Sequence, residues 1–309
     1  MTDITTGFIP GTLLSAIRQR TQLALANHAL QPIETRQIVL PDCGVDFLVR
    51  VVSSLARKDH YRNRSESEPE AENPFLPYDA DLYVCDVSTH HVCLLNKFYV
   101  IENHALLVSR EFEHQENLLT EADFAAWFSC LREFNSLGFY NGGKVAGASQ
   151  THKHMQLISL PLSNNEELEF PFAGLLQELK CQFTINERDF AAAKQCGLPF
   201  KHAVIALNVQ QMPDLQSAAA YLYKCYNNLL SAVGIGGINI DGDIRQSTPY
   251  NLLISKQWMW LVPRSHEFYQ DISVNALGFA GSLFVRESAQ LELVRSSGPM
   301  EVLRAVSMP

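Results

Sequence analysis

The run from His152 to Leu160 alternates broadly between polar and apolar side chains, and a period of two is the pattern of a half-buried strand. On such a strand His152, His154 and Gln156 share one face while Met155 and Leu157 take the other. A loop of small residues, Gly147-Ala148-Ser149-Gln150, comes just before it, and its backbone can approach a ligand closely. An imidazole is a competent nucleophile toward phosphorus when its other nitrogen is held by an acceptor, and an amide can fix the attacked group by hydrogen bonding. Two blander readings stand beside this one. Histidines at i and i+2 can be metal ligands, which requires a third or fourth ligand, and the nearest thiol, Cys130, lacks metal-type spacing. An isolated His-x-His is also commonly a solvated stripe. The small-residue loop on one side and the apolar run on the other favour nucleotidyl transfer through a histidine.

With 309 residues the chain exceeds the common single-domain size, which predicts two domains or one fused double unit. The apolar fraction of 47% supports an ordinary globular core. The net charge of −9 and the absence of a long basic stretch exclude bulk nucleic-acid binding, while a small phosphorylated ligand needs only a few local cations. Seven scattered cysteines without a C-x-x-C pair indicate reduced thiols and a cytoplasmic setting. No signal pattern opens the chain and no window reaches about 18 continuous apolar residues, so membrane insertion is not expected.

The hydrophobic pattern predicts a helix over Gly11–Leu30 with Leu13, Leu14, Ile17, Leu23 and Leu25 inward. Strands follow over Thr35–Leu40 and Val45–Ser53 around the turn Pro41-Asp42-Cys43-Gly44. Lys58–Pro77 is charged and punctuated, the composition of a mobile loop or a lid over an anion. Strands are predicted at Leu82–Val87, His91–Asn96 and Ala105–Ser109, and a helix at Thr120–Asn135 opened by a Thr120/Asp123 capping box. Pro161 ends the histidine strand, and the polar stretch Ser163–Glu169 begins a linker between regions 1–165 and 195–309. Beyond it come a helix over Gly174–Cys181, a strand over Ala203–Val209, a helix over Leu215–Val233, a hairpin over Pro249–Arg264 and a helical region over Leu277–Val306. Trp258 and Trp260 share a strand face that reads as core. Without a regular β-α-β rhythm, the fold class is α+β with mostly antiparallel pairing.

The ordered set Asn96-Lys97-Phe98, Glu102 to Arg110, Asn141 to Gln150, His152 to Gln156, and Tyr250 to Leu253 before Trp258 to Arg264 resembles one family. It is the ATP adenylyltransferase family, or diadenosine tetraphosphate phosphorylases, of the histidine-triad superfamily. The resemblance spans the chain from the first helix to Val306. It implies a HIT-like arrangement of mostly antiparallel sheets with packed helices, related to the galactose-1-phosphate uridylyltransferase architecture. It also implies phosphorolysis of the dinucleotide to ADP and ATP through an adenylylated His154, with the reverse reaction available.

The same resemblance assigns roles. His154 is the nucleophile, its second nitrogen donating to a backbone carbonyl. His152 contacts or polarises the phosphate chain, and Gln156 binds the α-phosphate where related hydrolases carry a third histidine. Gly147, Ala148, Ser149 and Gln150 match the phosphate loop, Asn96 and Lys97 a nucleotide-contacting pair, and Asn141 a ribose or phosphate contact. Lys58 matches a phosphate contact. Thr248, Pro249, Tyr250, Asn251, Met259 and Arg264 fall where the family binds its second nucleotide portion. Thr151 departs from the pattern, since family members often have proline there. Magnesium or another divalent cation is expected with the polyphosphate, without a protein-bound metal or tightly held organic cofactor. The expected partners are adenine nucleotides, diadenosine polyphosphates and inorganic phosphate, handled by a monomer. Rival readings are transfer to a hexose 1-phosphate or sulfate, and a non-catalytic adenine-nucleotide sensor.

Overall fold

In the computed structural model, residues 7–52, 73–163, 169–180 and 198–309 are described. The first half contains α1 (Leu13–Ala26), β1 (Thr35–Asp42), β2 (Val45–Val52), β3 (Tyr83–Asp86), β4 (His91–Leu95), β5 (Ala105–Ser109), α2 (Glu121–Leu131), β6 (Ser136–Gly142), β7 (His154–Ser159) and α3 (Ala173–Lys180). The second half contains β8 (Ala203–Ala206), α4 (Leu215–Ala232), β9 (Gly237–Ile240), β10 (Asp243–Gln246), β11 (Tyr250–Ile254), β12 (Trp258–Pro263), β13 (Phe268–Tyr269), β14 (Ile272–Ser273), β15 (Ser282–Val285), α5 (Ser288–Ser297) and α6 (Pro299–Val306).

One eight-stranded sheet joins the two halves in the order β3-β4-β5-β7-β6-β11-β12-β8, antiparallel throughout. A second sheet pairs β1, β2 and β15, with β15 parallel to β2. The α+β class with mostly antiparallel pairing is therefore the observed architecture. Strand alternation sorts side chains into separate cores. Leu107, Met155, Leu157, Leu252 and Met259 pack with α1, α2 and α4 on one face. On the opposite face Phe139, Ile158, Leu253, Trp258 and Trp260 pack with the second sheet, α5 and α6, while Val92, Leu94, Leu106 and Val108 form a smaller cluster with Phe75. The two tryptophans are core residues, as their strand pattern predicts.

Local chemistry explains several elements. Thr120 and Asp123 form the expected capping box at α2, Asp123 N–H donating to Thr120 Oγ1 at 3.2 Å and Thr120 N–H to Asp123 Oδ2 at 2.7 Å. Cys43 and Gly44 both have positive φ, 49° and 77°, which makes a tight two-residue hairpin turn between β1 and β2. Among the described residues no helix is long and apolar enough to cross a membrane.

Three expectations need correction. On α1 the buried stripe is Leu13, Ile17 and Ala24, whereas Leu23 is 52% and Leu25 38% exposed. Residues flanking Ala24 lie about 100° around the helix from it, which turns both leucines outward. The histidine strand begins at His154; His152 makes only an isolated bridge to His114, because Lys153 N–H donates to Glu113 O at 2.8 Å instead of continuing the ladder. The region 277–306 is not uniformly helical: a short apolar run, Ser282–Val285, follows the left-handed Gly281 and pairs with β2. Runs of that length carry no decisive period.

Candidate active site

The site forms where two neighbouring strands stop pairing. β6 and β7 are in register from Ser136↔Ser159 to Phe139↔Gln156, and continuing that register would place Asn141 opposite His154. The buried side chain of Gln115 occupies that rung instead. Its Oε1 accepts from His154 N–H at 2.8 Å, and its Nε2 donates to Asn141 O at 2.9 Å and His154 O at 3.2 Å. The amide satisfies the backbone groups that the splayed strands would otherwise leave unpaired. The parting exposes His154, Gln156 and Asn141 along one wall of a cavity of about 750 Å³.

His154 is 4% exposed and its Nδ1–H donates to the carbonyl of His152 at 2.8 Å. That bond fixes the tautomer, so Nε2 keeps its lone pair. Burial pulls the imidazole pKa down to about 4, against the opposing effect of the His152 carbonyl; the nearby His152 ring adds to the lowering. The ring is therefore neutral and oriented at neutral pH. Phe75 packs at 5.4 Å between centroids.

His152 does not occupy the position expected of a phosphate contact. Phe75 N–H donates to Asn73 Oδ1 at 3.0 Å, which leaves Asn73 Nδ2 to donate to His152 Nδ1 at 2.9 Å. Nε2–H of His152 then donates to the carbonyls of Ser109 at 2.8 Å and Glu111 at 3.1 Å. Both ring nitrogens are taken by protein, and the ring is not part of the cavity wall. Its contribution to the site is the carbonyl that orients His154.

Gln156 lines the cavity and is held from behind. Its Oε1 accepts from Nε2–H of His104 at 2.8 Å, and His104 Nδ1 accepts from Asn96 Nδ2 at 3.2 Å. Burial lowers His104 to about 4, against the Gln156 hydrogen bond and with the help of nearby His154, so it too is neutral. Lys97 extends the same wall, with Nζ 5.9 Å above the Phe98 ring.

The Gly147–Gln150 loop adds to the lining. Gly147, Ser149 and Gln150 line the cavity, whereas Ala148 does not and its N–H bonds Gly143 O at 3.2 Å. Gly147 has φ +87°, and a Cβ there would stand 2.9 Å from Asn275 and from the Val274 carbonyl. Only glycine accommodates both the left-handed backbone and that approach. Asn141 lies in the wall with its Oδ1 taken by Asn251 Nδ2 and Ala276 N–H, both at 2.9 Å. Its own amide nitrogen is the group left to donate.

The residues expected to bind a second nucleotide portion are not in this cavity. Met259 and Tyr250 are fully buried in the helix-side core, the tyrosine hydroxyl 2.6 Å from that of Tyr226. Thr248 and Pro249 precede β11 and are not among the lining residues. Asn251 joins Asn141 to the Ala146 carbonyl at 2.8 Å. Arg264, 1% exposed, donates to the carbonyls of Val306 at 3.1 Å, Ala146 at 3.4 Å and His266 at 2.8 Å and to Asn251 Oδ1. Burial lowers its pKa to about 9, partly offset by Glu267. This guanidinium knits Ala146, just before the Gly147–Gln150 loop, to the C-terminal segment; its fork is filled by protein oxygens. The second half reaches the cavity through Asn275, Leu277 and Phe284. Lys58 lies outside the described residues.

His104, Gln115, Phe75 and Asn275 were missed by the sequence reading. His104 had a signal, a polar residue at the head of the apolar strand Ala105–Ser109. Gln115 sits in an irregular segment where no period announces a side chain that replaces a ladder rung.

With this geometry in place, comparison with known proteins defines the class. Residues 3–178 match the model of the Ap4A phosphorylase N-terminal domain and residues 196–309 that of the ATP adenylyltransferase C-terminal domain. The chain belongs to the Ap4A phosphorylase and ATP adenylyltransferase family, a nucleotidyltransferase family. It is 29% identical to diadenosine 5',5'''-P1,P4-tetraphosphate phosphorylase 2 of Saccharomyces cerevisiae, over 84% of this chain and 82% of that one. It is 28% identical to protein APA1 of the same yeast, over 90% of this chain and 88% of that one. The crystal structure of yeast Ap4A phosphorylase Apa2 has the same fold, with a TM-score of 0.75 and 25% identity over 98% of this chain and 96% of that one. The Apa2 complex with Ap4A gives 0.74 at 23% identity, over 98% and 99%.

Proposed function

We propose that this protein catalyses phosphorolysis of diadenosine tetraphosphate to ADP and ATP, and the reverse reaction, by carrying AMP on Nε2 of His154. The observation that carries the proposal is the fixed tautomer of His154, neutral and aimed at a 750 Å³ cavity beside an amide donor. The relatives named for this reaction support it.

In the first step the Nε2 lone pair bonds to the α-phosphorus and the P–O bond to the ATP portion breaks, so ATP leaves with that electron pair. The ring keeps its Nδ1 proton and becomes cationic; the His152 carbonyl at 2.8 Å stabilises that charge. In the second step an oxygen of the phosphate dianion bonds to the same phosphorus, the P–N bond breaks and its electrons return to Nε2. ADP departs and no proton is exchanged at His154. The amides of Gln156 and Asn141 and the backbone N–H groups of Ser149 and Gln150 are placed to bind phosphoryl oxygens, while the N–H groups of Gly147 and Ala148 are used within the loop, on Lys144 O at 2.9 Å and Gly143 O at 3.2 Å.

The expected magnesium fits as a cation carried by the substrate. Asp79 is the carboxylate in the cavity wall, and its Oδ1 accepts from Asp81 N–H at 3.0 Å. No group of three metal-ligating side chains occurs among the described residues, so the polyphosphate oxygens themselves would hold the ion and share its charge.

The test is incubation with diadenosine tetraphosphate and Mg²⁺, with and without inorganic phosphate, followed by separation of the nucleotides. Phosphate-dependent ADP plus ATP is expected. AMP plus ATP at the same rate without phosphate, or no turnover, would contradict the proposal.

A further inference from the structure

The amide of Gln156 can face the cavity with either its oxygen or its nitrogen, and the two faces do different chemistry. A nitrogen donates to an anionic phosphoryl oxygen. An oxygen accepts a hydrogen bond and orients a water for attack. Which face is presented is decided outside the amide, by a chain of hydrogen bonds whose first donor is a backbone N–H that cannot reverse. Phe98 N–H donates to Asn96 Oδ1 at 3.3 Å. The Asn96 amide nitrogen is thereby turned to the His104 ring, 3.2 Å from Nδ1 and 3.4 Å from Nε2; Nε2 has its shorter contact with Gln156 Oε1 at 2.8 Å, which leaves Nδ1 as the nitrogen that accepts from Asn96. With Nδ1 accepting, the single proton of the neutral His104 ring must sit on Nε2, where it meets Gln156 Oε1 at 2.8 Å. Gln156 Oε1 is consumed and its N–H groups remain for the ligand. The two ends of this relay are braced by the sheet, since Asn96 N–H donates to His104 O at 3.0 Å beyond the last β4–β5 rung. His104 also packs on Phe139 at 5.6 Å, which leaves its ring little freedom to turn.

We infer that His104, set by Asn96, determines acceptor selectivity: it forces Gln156 to show only donors to the adenylyl group, so that Gln156 binds an anionic acceptor and offers an attacking water no acceptor. The inference rests on the proposed role of His154 as adenylyl carrier. Attack by the phosphate dianion on the adenylyl-histidine forms a P–O bond, breaks P–N and releases ADP without needing a base. Attack by water forms the same kind of bond, releases AMP and must also shed a proton to an acceptor. Reversing the Gln156 amide supplies a hydrogen-bond acceptor that Gln156 withholds from water in the native arrangement. His104 is thus a positioning residue that acts through Gln156.

The relay predicts how particular substitutions act. His104→Phe removes the restraint and lets the amide turn. His104→Gln retains an N–H donor toward Gln156 Oε1. Asn96→Asp inverts the polarity: a carboxylate accepts from both Phe98 N–H and His104 Nδ1–H, the ring proton leaves Nε2, and Gln156 must donate to it and show its oxygen to the cavity. The measurement is single turnover: the adenylyl-enzyme is formed with diadenosine tetraphosphate, stripped of nucleotide, and its decay to AMP is followed in phosphate-free buffer. Decay should accelerate roughly tenfold or more in His104→Phe and in Asn96→Asp and stay near the wild-type rate in His104→Gln. A merely structural role would slow the chemistry, so unchanged or slower AMP release in both His104→Phe and Asn96→Asp overturns the inference. Asn96 is only partly buried, so its variant keeps the test decisive should His104→Phe not fold. Failure of the wild type itself to form an adenylyl adduct is a distinct result and removes the underlying role of His154 along with the inference.

Discussion

Nδ1 of His154 lies 2.8 Å from the carbonyl oxygen of His152, two residues earlier in the chain. The first histidine of the His-x-His pair therefore serves the second through its backbone, while its own ring is bonded to Ser109, Glu111 and Asn73. In the proposed mechanism the pair works as one nucleophile and one support.

The acid limb of the first half-reaction should lie well below the ordinary histidine value. His154 has its pKa lowered from 6.5 to about 4, so the proposed nucleophile stays neutral through mild acid. Single-turnover release of ATP, measured without phosphate so that phosphate ionisation does not intrude, should fall only as pH approaches about 4. An apparent pKa near 6.5 would contradict the buried, neutral ring.

Stability follows the same shift. A histidine whose folded pKa is depressed contributes stability that is complete above 6.5 and is lost as pH falls toward about 4, because the unfolded chain binds the proton first. Denaturant unfolding should show a decline over that window, to which His154 adds up to roughly 3 kcal/mol. His154→Ala should flatten part of that slope. It should also abolish turnover while retaining nucleotide binding by calorimetry; sizeable residual phosphorolysis would remove His154 from its role.

Arg264 should behave as a structural cation. Lysine cannot reproduce its fork to Val306, Ala146, His266 and Asn251, so Arg264→Lys should cost about 3 kcal/mol in denaturant unfolding. A direct phosphate ligand would instead show a raised KM at unchanged stability.

Gly147→Ala tests the loop. The left-handed backbone alone costs about 1–2 kcal/mol for a residue with a Cβ, and the new methyl meets Asn275 and Val274 O at 2.9 Å. Steady-state kinetics should show KM for diadenosine tetraphosphate raised roughly tenfold. An unchanged KM would mean that the loop backbone does not hold the phosphates.

The sequence was most legible where period and chemistry coincide. The alternation at Met155, Gln156 and Leu157 specifies which face of β7 is core and which is cavity, and the Thr120/Asp123 box marks the start of α2. Other relationships carry no local signal. Lys153, between the two histidines, is 2% exposed and bonded to Asp123 at 2.8 Å and Glu113 at 2.9 Å, partners that nothing in its neighbourhood of the sequence announces. Burial alone would lower its pKa; the two carboxylates more than offset that and hold it raised. Arg264 reads as a phosphate fork because its carbonyl partners come from residues 42 and 118 positions away. Gln115 acts on the backbone of a residue 39 positions distant and His104 on a side chain 52 positions distant, and such partners are fixed only by the folded sheet.

The most direct test of the central claim is mass spectrometry of the protein after mixing with diadenosine tetraphosphate in phosphate-free buffer, followed by peptide mapping. An AMP adduct on His154 that disappears with release of ADP when phosphate is added is the predicted result. ADP formation without any adduct, or an adduct on another residue, would contradict it.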